Sequence, residues 1–293
     1  MIDESNIFEG RDNSICEKNS ATEYSQELHP FYFSPERKAK LYCGDALDIL
    51  KRFPDNCIDM IFADPPYFGN QSGLVIQRTD GHAETFDTQK AQWAYSKPLR
   101  EQFQFHYAWL IEAQRILKEG STIWISGTYH SIGVVNVVLQ DIGFKILNDI
   151  ILHKRNAPPN FRGSCFRAVT ETLLWAKKSN KGKTKFNYQQ MKQLNNGVQM
   201  KNIWEYWAEK NPFRHPATKQ PIVLEYAILA STDEGDIILD PFAGSGTTGY
   251  VAQGLNRKTI MIEINQEYCH LIKDRIEGKY GDFKRKTGIE RKF

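Results

Sequence analysis

The chain has 293 residues, 41% hydrophobic and 25% charged, with a formal net charge of +3. That is enough for one sizeable core, and no run approaches the ~18–20 apolar residues of a membrane span. Five scattered cysteines without C-x-x-C spacing exclude a disulfide framework, argue against a zinc site and point to a reducing cytoplasm.

Residues 1–37 lack apolar periodicity and are expected to form a polar arm, followed by a single domain over 38–293. A strand is predicted over 38–43, ending at Gly44-Asp45, then a helix over 46–53. A second strand, 57–63, is apolar throughout, as in a sheet covered on both faces. It runs into Asp64-Pro65-Pro66-Tyr67. These residues offer a carboxylate, carbonyls whose prolines carry no N–H, and an aromatic face. The exocyclic amine of a flat base needs two acceptors and a stacking surface, and these groups supply them. An Asp-Pro-Pro turn closing a strand is the simpler alternative.

Residues 68–100 show neither period and are expected to form a mobile loop, in which Arg78 is a candidate phosphate contact. A helix over 104–117 follows, then strands at 122–126, 144–152 and 171–176, with a helix at 132–140. The polar stretch 177–212 is a candidate target-recognition segment. Its lysine run at 177–185, Lys154-Arg155, Arg162, Arg167 and 284–292 form basic clusters that suit phosphates or a solvated face equally well. Helix 221–230, strand 236–240, helix 247–254, strand 259–263 and helix 267–276 close the chain. The alternation predicts an α/β fold around a mostly parallel, seven-stranded sheet flanked by helices.

Asp240-Pro-Phe242-Ala-Gly244-Ser245-Gly246-Thr247-Thr248-Gly249 lies between a predicted strand and a predicted helix and contains G-x-G-x-x-G. Glu263 ends the next strand, where it can accept hydrogen bonds from a ribose diol. The pattern fits the adenosine of a dinucleotide or of S-adenosylmethionine. Asp240 would repel a pyrophosphate, the site comes late in the chain, and no hydride acceptor is evident; these points favour S-adenosylmethionine over an NAD-dependent oxidoreductase.

With Asp-Pro-Pro-Tyr first and Phe-x-Gly-x-Gly late, the chain resembles the amino-methyltransferases of DNA in the permuted, β-type motif order. It is closest to restriction–modification adenine-N6 enzymes of the HinfI and DpnII types. Further matches are Gly44-Asp45, the segment 156–163 leading to 170–176, and His215-Pro-Ala-Thr218. The resemblance runs from about residue 40 to 278. It implies the fold of S-adenosylmethionine-dependent methyltransferases and a short target such as GATC or GANTC. DNA is the implied partner, with a second copy of the chain and a cognate restriction endonuclease as further candidates.

In the resemblance, Asp64 and a carbonyl of the Pro65-Pro66 pair hold the adenine amine, and Tyr67 stacks on the base. Asp45 meets the cofactor adenine and Glu263 its ribose. Ala63, Asp64, His215, Asp240, Phe242, Gly244, Ser245, Gly246, Thr247 and Thr248 complete the cofactor site. Asn160 joins Arg78, Lys154, Arg155, Arg162 and Arg167 as DNA contacts. Each has a plainer alternative: Asp45 as a helix N-cap, Glu263 in an ion pair, Phe242 in the core. The His-Pro motif usually continues Thr-Gln-Lys-Pro. Here Ala217-Thr-Lys-Gln-Pro221 follows, so Lys219 is not carried over. Direct displacement at a sulfonium requires no metal, and the other histidines are isolated.

A cytosine-N4 enzyme would share the amine chemistry, but Ser is commoner at its first tetrapeptide position. Cytosine-C5 chemistry is disfavoured because none of the five cysteines follows a proline. A catalytically silent DNA-binding protein that keeps the fold is the remaining rival.

Overall fold

The computed structural model describes residues 28–68, 75–77, 83–85, 97–157, 159, 163–207 and 218–283. The strands are β1 (Tyr32–Ser34), β2 (Ala39–Cys43), β3 (Ile58–Ala63), β4 (Val75–Gln77), β5 (Ala83–Thr85), β6 (Leu117–Gly127), β7 (Lys145–Lys154), β8 (Thr170–Lys177), β9 (Ile203–Tyr206), β10 (Ile237–Asp240) and β11 (Lys258–Glu263). The helices are α1 (Ala46–Leu50), α2 (Leu99–Ile116), α3 (Ile132–Asp141), α4 (Tyr188–Leu194), α5 (Pro221–Ser231), α6 (Thr247–Gly254) and α7 (Gln266–Ile276).

Nine strands form one sheet in the order β1-β2-β11-β10-β3-β6-β8-β7-β9, and β4 pairs with β5 apart from it. The five central strands β2, β11, β10, β3 and β6 are parallel, whereas β8 runs antiparallel to both β6 and β7. All seven predicted strands are present. The expected count is corrected by β1 and β9, which add to the two edges of the sheet. Both are too short to show a period of two. β1 also lies inside the expected arm, where Phe33 pairs with Lys40.

Successive residues of a strand face opposite sides, and β3 divides its apolar run accordingly. Ile61 and Ala63 join a core with Leu50, Trp109, Leu110, Ile116 and Val138 under α1, α2 and α3. Met60 and Phe62 join a second core with Trp124, Trp175, Leu224, Ile228 and Val251 under α5 and α6. Each fully buried side chain of this kind contributes about 1.5–3 kcal/mol. Asp59 interrupts the run, and its carboxylate is paired with Lys118 at 3.0 Å and accepts the Ile237 N–H at 2.9 Å.

The polar segment after β8 is tied into the second core by its aromatic residues. Trp204 of β9 is buried, edge-on to Tyr226 of α5 at 5.4 Å, while Trp124 and Trp175 stack at 4.9 Å. The 177–185 lysine run, which suits phosphates and a solvated face equally well in sequence, follows the far end of β8, roughly 25 Å from its first residue. Three of its ammoniums have partners within the protein: Lys177 donates to the Lys181 and Gly182 carbonyls, Lys178 to the Leu117 carbonyl, and Lys185 pairs with Asp233.

Candidate active site

The parallel strands end along one edge of the sheet, and the singled-out residues stand there. Ala63 is in register with Ile125, Glu263 with Cys43, and Asp240 with Met261. The turns that follow these strand ends enclose a cleft of about 800 Å³. Asp64, Pro65, Pro66 and Tyr67 form one wall, and Asp240, Phe242, Gly244, Ser245, Thr247, Thr248 and Glu263 another. Two motifs about 180 residues apart in sequence thus share one cavity.

The glycine turn is built for close approach. Gly246 holds φ +73°, and a Cβ there would meet Ile272 at 3.0 Å. At Gly249 a Cβ would lie 2.6 Å from the Met261 sulfur, so its absence lets α6 lie close on β11. Glu263 braces the turn, accepting the Gly244 N–H through Oε2 at 2.8 Å and the Asn265 N–H through Oε1 at 2.9 Å. Each oxygen keeps a lone pair for a ligand hydroxyl. Burial raises the Glu263 carboxyl above its ordinary value, against the pull of those N–H donors.

Asp240 accepts the Phe242 N–H at 3.0 Å and the Thr248 hydroxyl at 2.5 Å. Burial pushes its carboxyl up to about 7, with Asp64 and Glu263 adding to the rise. Beneath the turn, buried Arg275 donates to the Ser245 carbonyl at 2.9 Å and the Thr247 hydroxyl at 3.0 Å, and its guanidinium lies 4.5 Å from the Tyr250 ring centre. The Thr247 and Thr248 hydroxyls are therefore engaged within the turn. Arg275→Met should lower stability by about 2–3 kcal/mol, because two acceptors lose a charged donor. A thermal melt measures this, and an unchanged Tm would contradict the bracing role.

Asp45 caps α1, accepting the Leu47 N–H at 2.8 Å and the Asp48 N–H at 3.2 Å, and it also lines the cleft. Phe242 meets Trp109 edge-on at 5.2 Å, so it both packs on α2 and walls the cavity with Phe105 and Trp109. Ala63, expected at the cofactor, is instead fully buried in the core and is not part of the cleft wall. Of the residues expected to contact DNA, Lys154 ends β7 and Arg167 lies exposed in the β7–β8 connection at the site edge. Arg155 is held by Glu205, with Nε at 3.0 Å from Oε2, while His153 meets the other Glu205 oxygen at 2.9 Å. Arg78, Asn160, Arg162 and His215 lie outside the described residues.

Around Asp64 the structure assembles a group that the sequence did not disclose. The Tyr67 and Ser126 hydroxyls both donate to Asp64 Oδ1. Lys219 Nζ lies 3.3 Å from that oxygen, 2.5 Å from the Tyr67 hydroxyl and 2.6 Å from Glu171 Oε2. No hydrogen bond among the described residues ends on Oδ2. Ser126 follows Ile125, the partner of Ala63, so it stands beside Asp64 across the β3–β6 pair. Glu171 is the second residue of β8 at the same edge, and Lys219 lies two residues before α5. Burial and the Asp64 charge raise the Tyr67 phenol. Burial would lower the Lys219 ammonium, but Asp64, Tyr67 and Glu171 outweigh it and hold it well above its ordinary value.

The cleft suits a nucleoside cofactor. It pairs a glycine turn of open backbone with a carboxylate at the next strand end and aromatic walls, and its dimensions match a ligand of several hundred Å³. Fold and site together define a nucleoside-dependent α/β group-transfer enzyme.

The model of the N6/N4 DNA methylase family matches residues 58–274, and the chain belongs to that family. It is 40% identical over 252 residues to the type II methyltransferase M2.MboI of Moraxella bovis, across 85% of this chain and 91% of that protein. To M2.DpnII of Streptococcus pneumoniae it is 40% identical over 271 residues, across 89% and 98%. The structure of the M1.HpyAVI–SAM complex superposes with a TM-score of 0.62 at 25% identity, covering 81% of this chain and 98% of that one. The protein is a DNA methyltransferase that uses S-adenosylmethionine, and the oxidoreductase reading falls. No described helix is long and apolar enough to cross a membrane.

Proposed function

We propose that the protein methylates the N6 amino group of adenine within a short DNA sequence, GATC or GANTC being the targets its family resemblance suggests. The observation that carries this reading is the loading of Asp64. Two hydroxyls donate to Oδ1 and Lys219 pairs with it at 3.3 Å, while Asp64 lines the cleft and Oδ2 accepts no hydrogen bond among the described residues, leaving it for an amine N–H.

The adenine N6 lone pair is delocalised into the ring and must be freed. Asp64 accepts one N–H and a carbonyl of the Pro65-Pro66 pair the other, drawing the nitrogen toward tetrahedral geometry. The Tyr67 hydroxyl is occupied by Asp64, so its ring is the part that meets the base. Glu263 takes the cofactor ribose, Asp45 the adenine end, and Phe242 to Thr248 the methionine end. When bound, S-adenosylmethionine supplies a sulfonium methyl, whose bond to sulfur breaks with the electron pair staying on sulfur. Asp64 then takes the proton that the methylated nitrogen must release. Positioning and preorganised charge account for the acceleration.

DNA is read by segments other than the cleft. Lys154 ends β7, exposed Phe166 and Arg167 lie in the segment before β8, and exposed Trp207 follows β9, all toward the edge that carries Asp64. Within 177–212, β9 and Trp207 are the described residues that this reading assigns to DNA contact. A cognate endonuclease, a homodimer and a cytoplasmic setting fit a restriction–modification role. Transfer of labelled methyl groups into unmodified DNA, followed by nucleoside digestion, tests the base assignment. N6-methyladenine is expected; N4-methylcytosine would overturn it.

A further inference from the structure

We propose that Lys219 and Glu171 are positioning residues with opposed charges: Lys219 holds the Asp64 carboxylate aimed at the incoming amine, and Glu171 holds Lys219 back from closing on it. The inference rests on the reading of Asp64 as the amine acceptor. The side chains of Asp64 and Lys219 are only 15% and 13% exposed. A carboxylate withdrawn from water to that extent tends to take up a proton unless a cation or several donors hold its charge.

The groups facing Asp64 come from six places. Tyr67 belongs to its own turn, Ser126 is the penultimate residue of β6, Glu171 the second of β8, Tyr206 ends β9, Lys219 lies just before α5 and Asp240 ends β10. Glu171 and Asp240 add negative charge that disfavours a third carboxylate. The hydroxyls of Tyr67 and Ser126 can stabilise the charge but cannot cancel it. Among the described residues, Lys219 is the cation within ion-pair distance.

Glu171 has two effects on this arrangement. Its oxygen, 2.6 Å from Lys219 Nζ, anchors the ammonium nearer to itself than to Asp64. It thereby draws off part of the cation's field and prevents Lys219 from closing fully on the carboxylate that must receive substrate. Burial pushes the Glu171 carboxyl up, but the Lys219 ammonium overrides this and holds it below the ordinary range. The Lys219–Glu171 pair therefore sits on the Oδ1 side of Asp64, where its other contacts lie, and no hydrogen bond among the described residues ends on Oδ2.

The two residues act on Asp64 with opposite signs, which a merely structural role would not produce. Carbon-13 NMR of carboxyl-labelled aspartate, with the Asp64 signal assigned through Asp64→Asn, follows this group directly in the protein without substrates. Lys219→Met should move its titration to higher pH by about one to two units. Lys219→Arg should restore it, and Glu171→Gln should move it to lower pH. The acidic limb of kcat at saturating DNA and cofactor should move in the same directions. Unchanged S-adenosylhomocysteine affinity checks that each variant is folded. A Lys219→Met titration superposing on the wild type, or an upward move in Glu171→Gln, would overturn the inference. If Asp64→Ala remained active, the acceptor reading itself would fail; an inactive Asp64→Ala with unmoved titrations would sink only the role of the pair.

Discussion

Asp64→Ala should reduce methyl transfer by ~10³-fold or more while leaving S-adenosylhomocysteine affinity within a few-fold of the wild type. The substitution removes the acceptor for the amine N–H and the group that takes the released proton. Loss of a positioned acid–base group costs about 10²–10⁴ in rate, and loss of one preorganised hydrogen bond in a transition state about 10²–10³. The cofactor half of the cleft should be unaffected, because Glu263 and the glycine turn are tied to β10, β11 and α7. Lys219 retains Glu171 as its counterion, so no buried cation is left unpaired. Single-turnover transfer and calorimetry with the product nucleoside read the two halves separately. A rate within tenfold of the wild type would contradict the proposed acceptor geometry.

Glu263→Ala should act on the other half. The carboxylate closes two backbone donors, Gly244 and Asn265, and in the proposed reading also takes the ribose. Hydrogen bonds to a charged group are worth about 1.5–3 kcal/mol, and an N–H left without an acceptor adds to the loss. Cofactor affinity should therefore fall by about 2–3 kcal/mol, or ~30–150-fold. Glu263→Gln keeps an acceptor for one N–H and should recover part of that loss. Isothermal titration with S-adenosylhomocysteine measures both. Equal affinities for wild type and Glu263→Ala would place the ribose elsewhere.

The parts of this site that were legible in the sequence are those in which one chain segment carries its own chemistry. Asp-Pro-Pro-Tyr follows a continuous apolar strand, and the glycine turn sits between a strand and a helix, so each motif announces both its residues and its place. Even the plainer alternatives proved compatible with exposure to the cleft: Asp45 caps α1 and Phe242 packs on Trp109, yet both line it.

What escaped was whatever depends on strand order. Ser126 sits beside Asp64 because β6 is the neighbour of β3, and Glu171 because β8 turns back antiparallel to β6. Neither adjacency can be read from local periodicity. Lys219 stands in a motif out of its usual order and so is not legible from sequence, yet the fold delivers its ammonium to within 3.3 Å of the Asp64 carboxylate. The 177–185 lysines leave two readings open in sequence because charge on a chain does not say which end of the sheet it occupies; they lie at the far end, where Lys177 and Lys178 have internal partners.

A crystal structure with S-adenosylhomocysteine and duplex DNA carrying the target sequence tests the central claim most directly. It should show an adenine swung into the 800 Å³ cleft, its N6 within about 2.6–3.2 Å of Asp64 Oδ2, and the cofactor sulfur facing that nitrogen. A product nucleoside bound away from Asp64, or a cleft too closed to admit the purine beside it, would contradict the account.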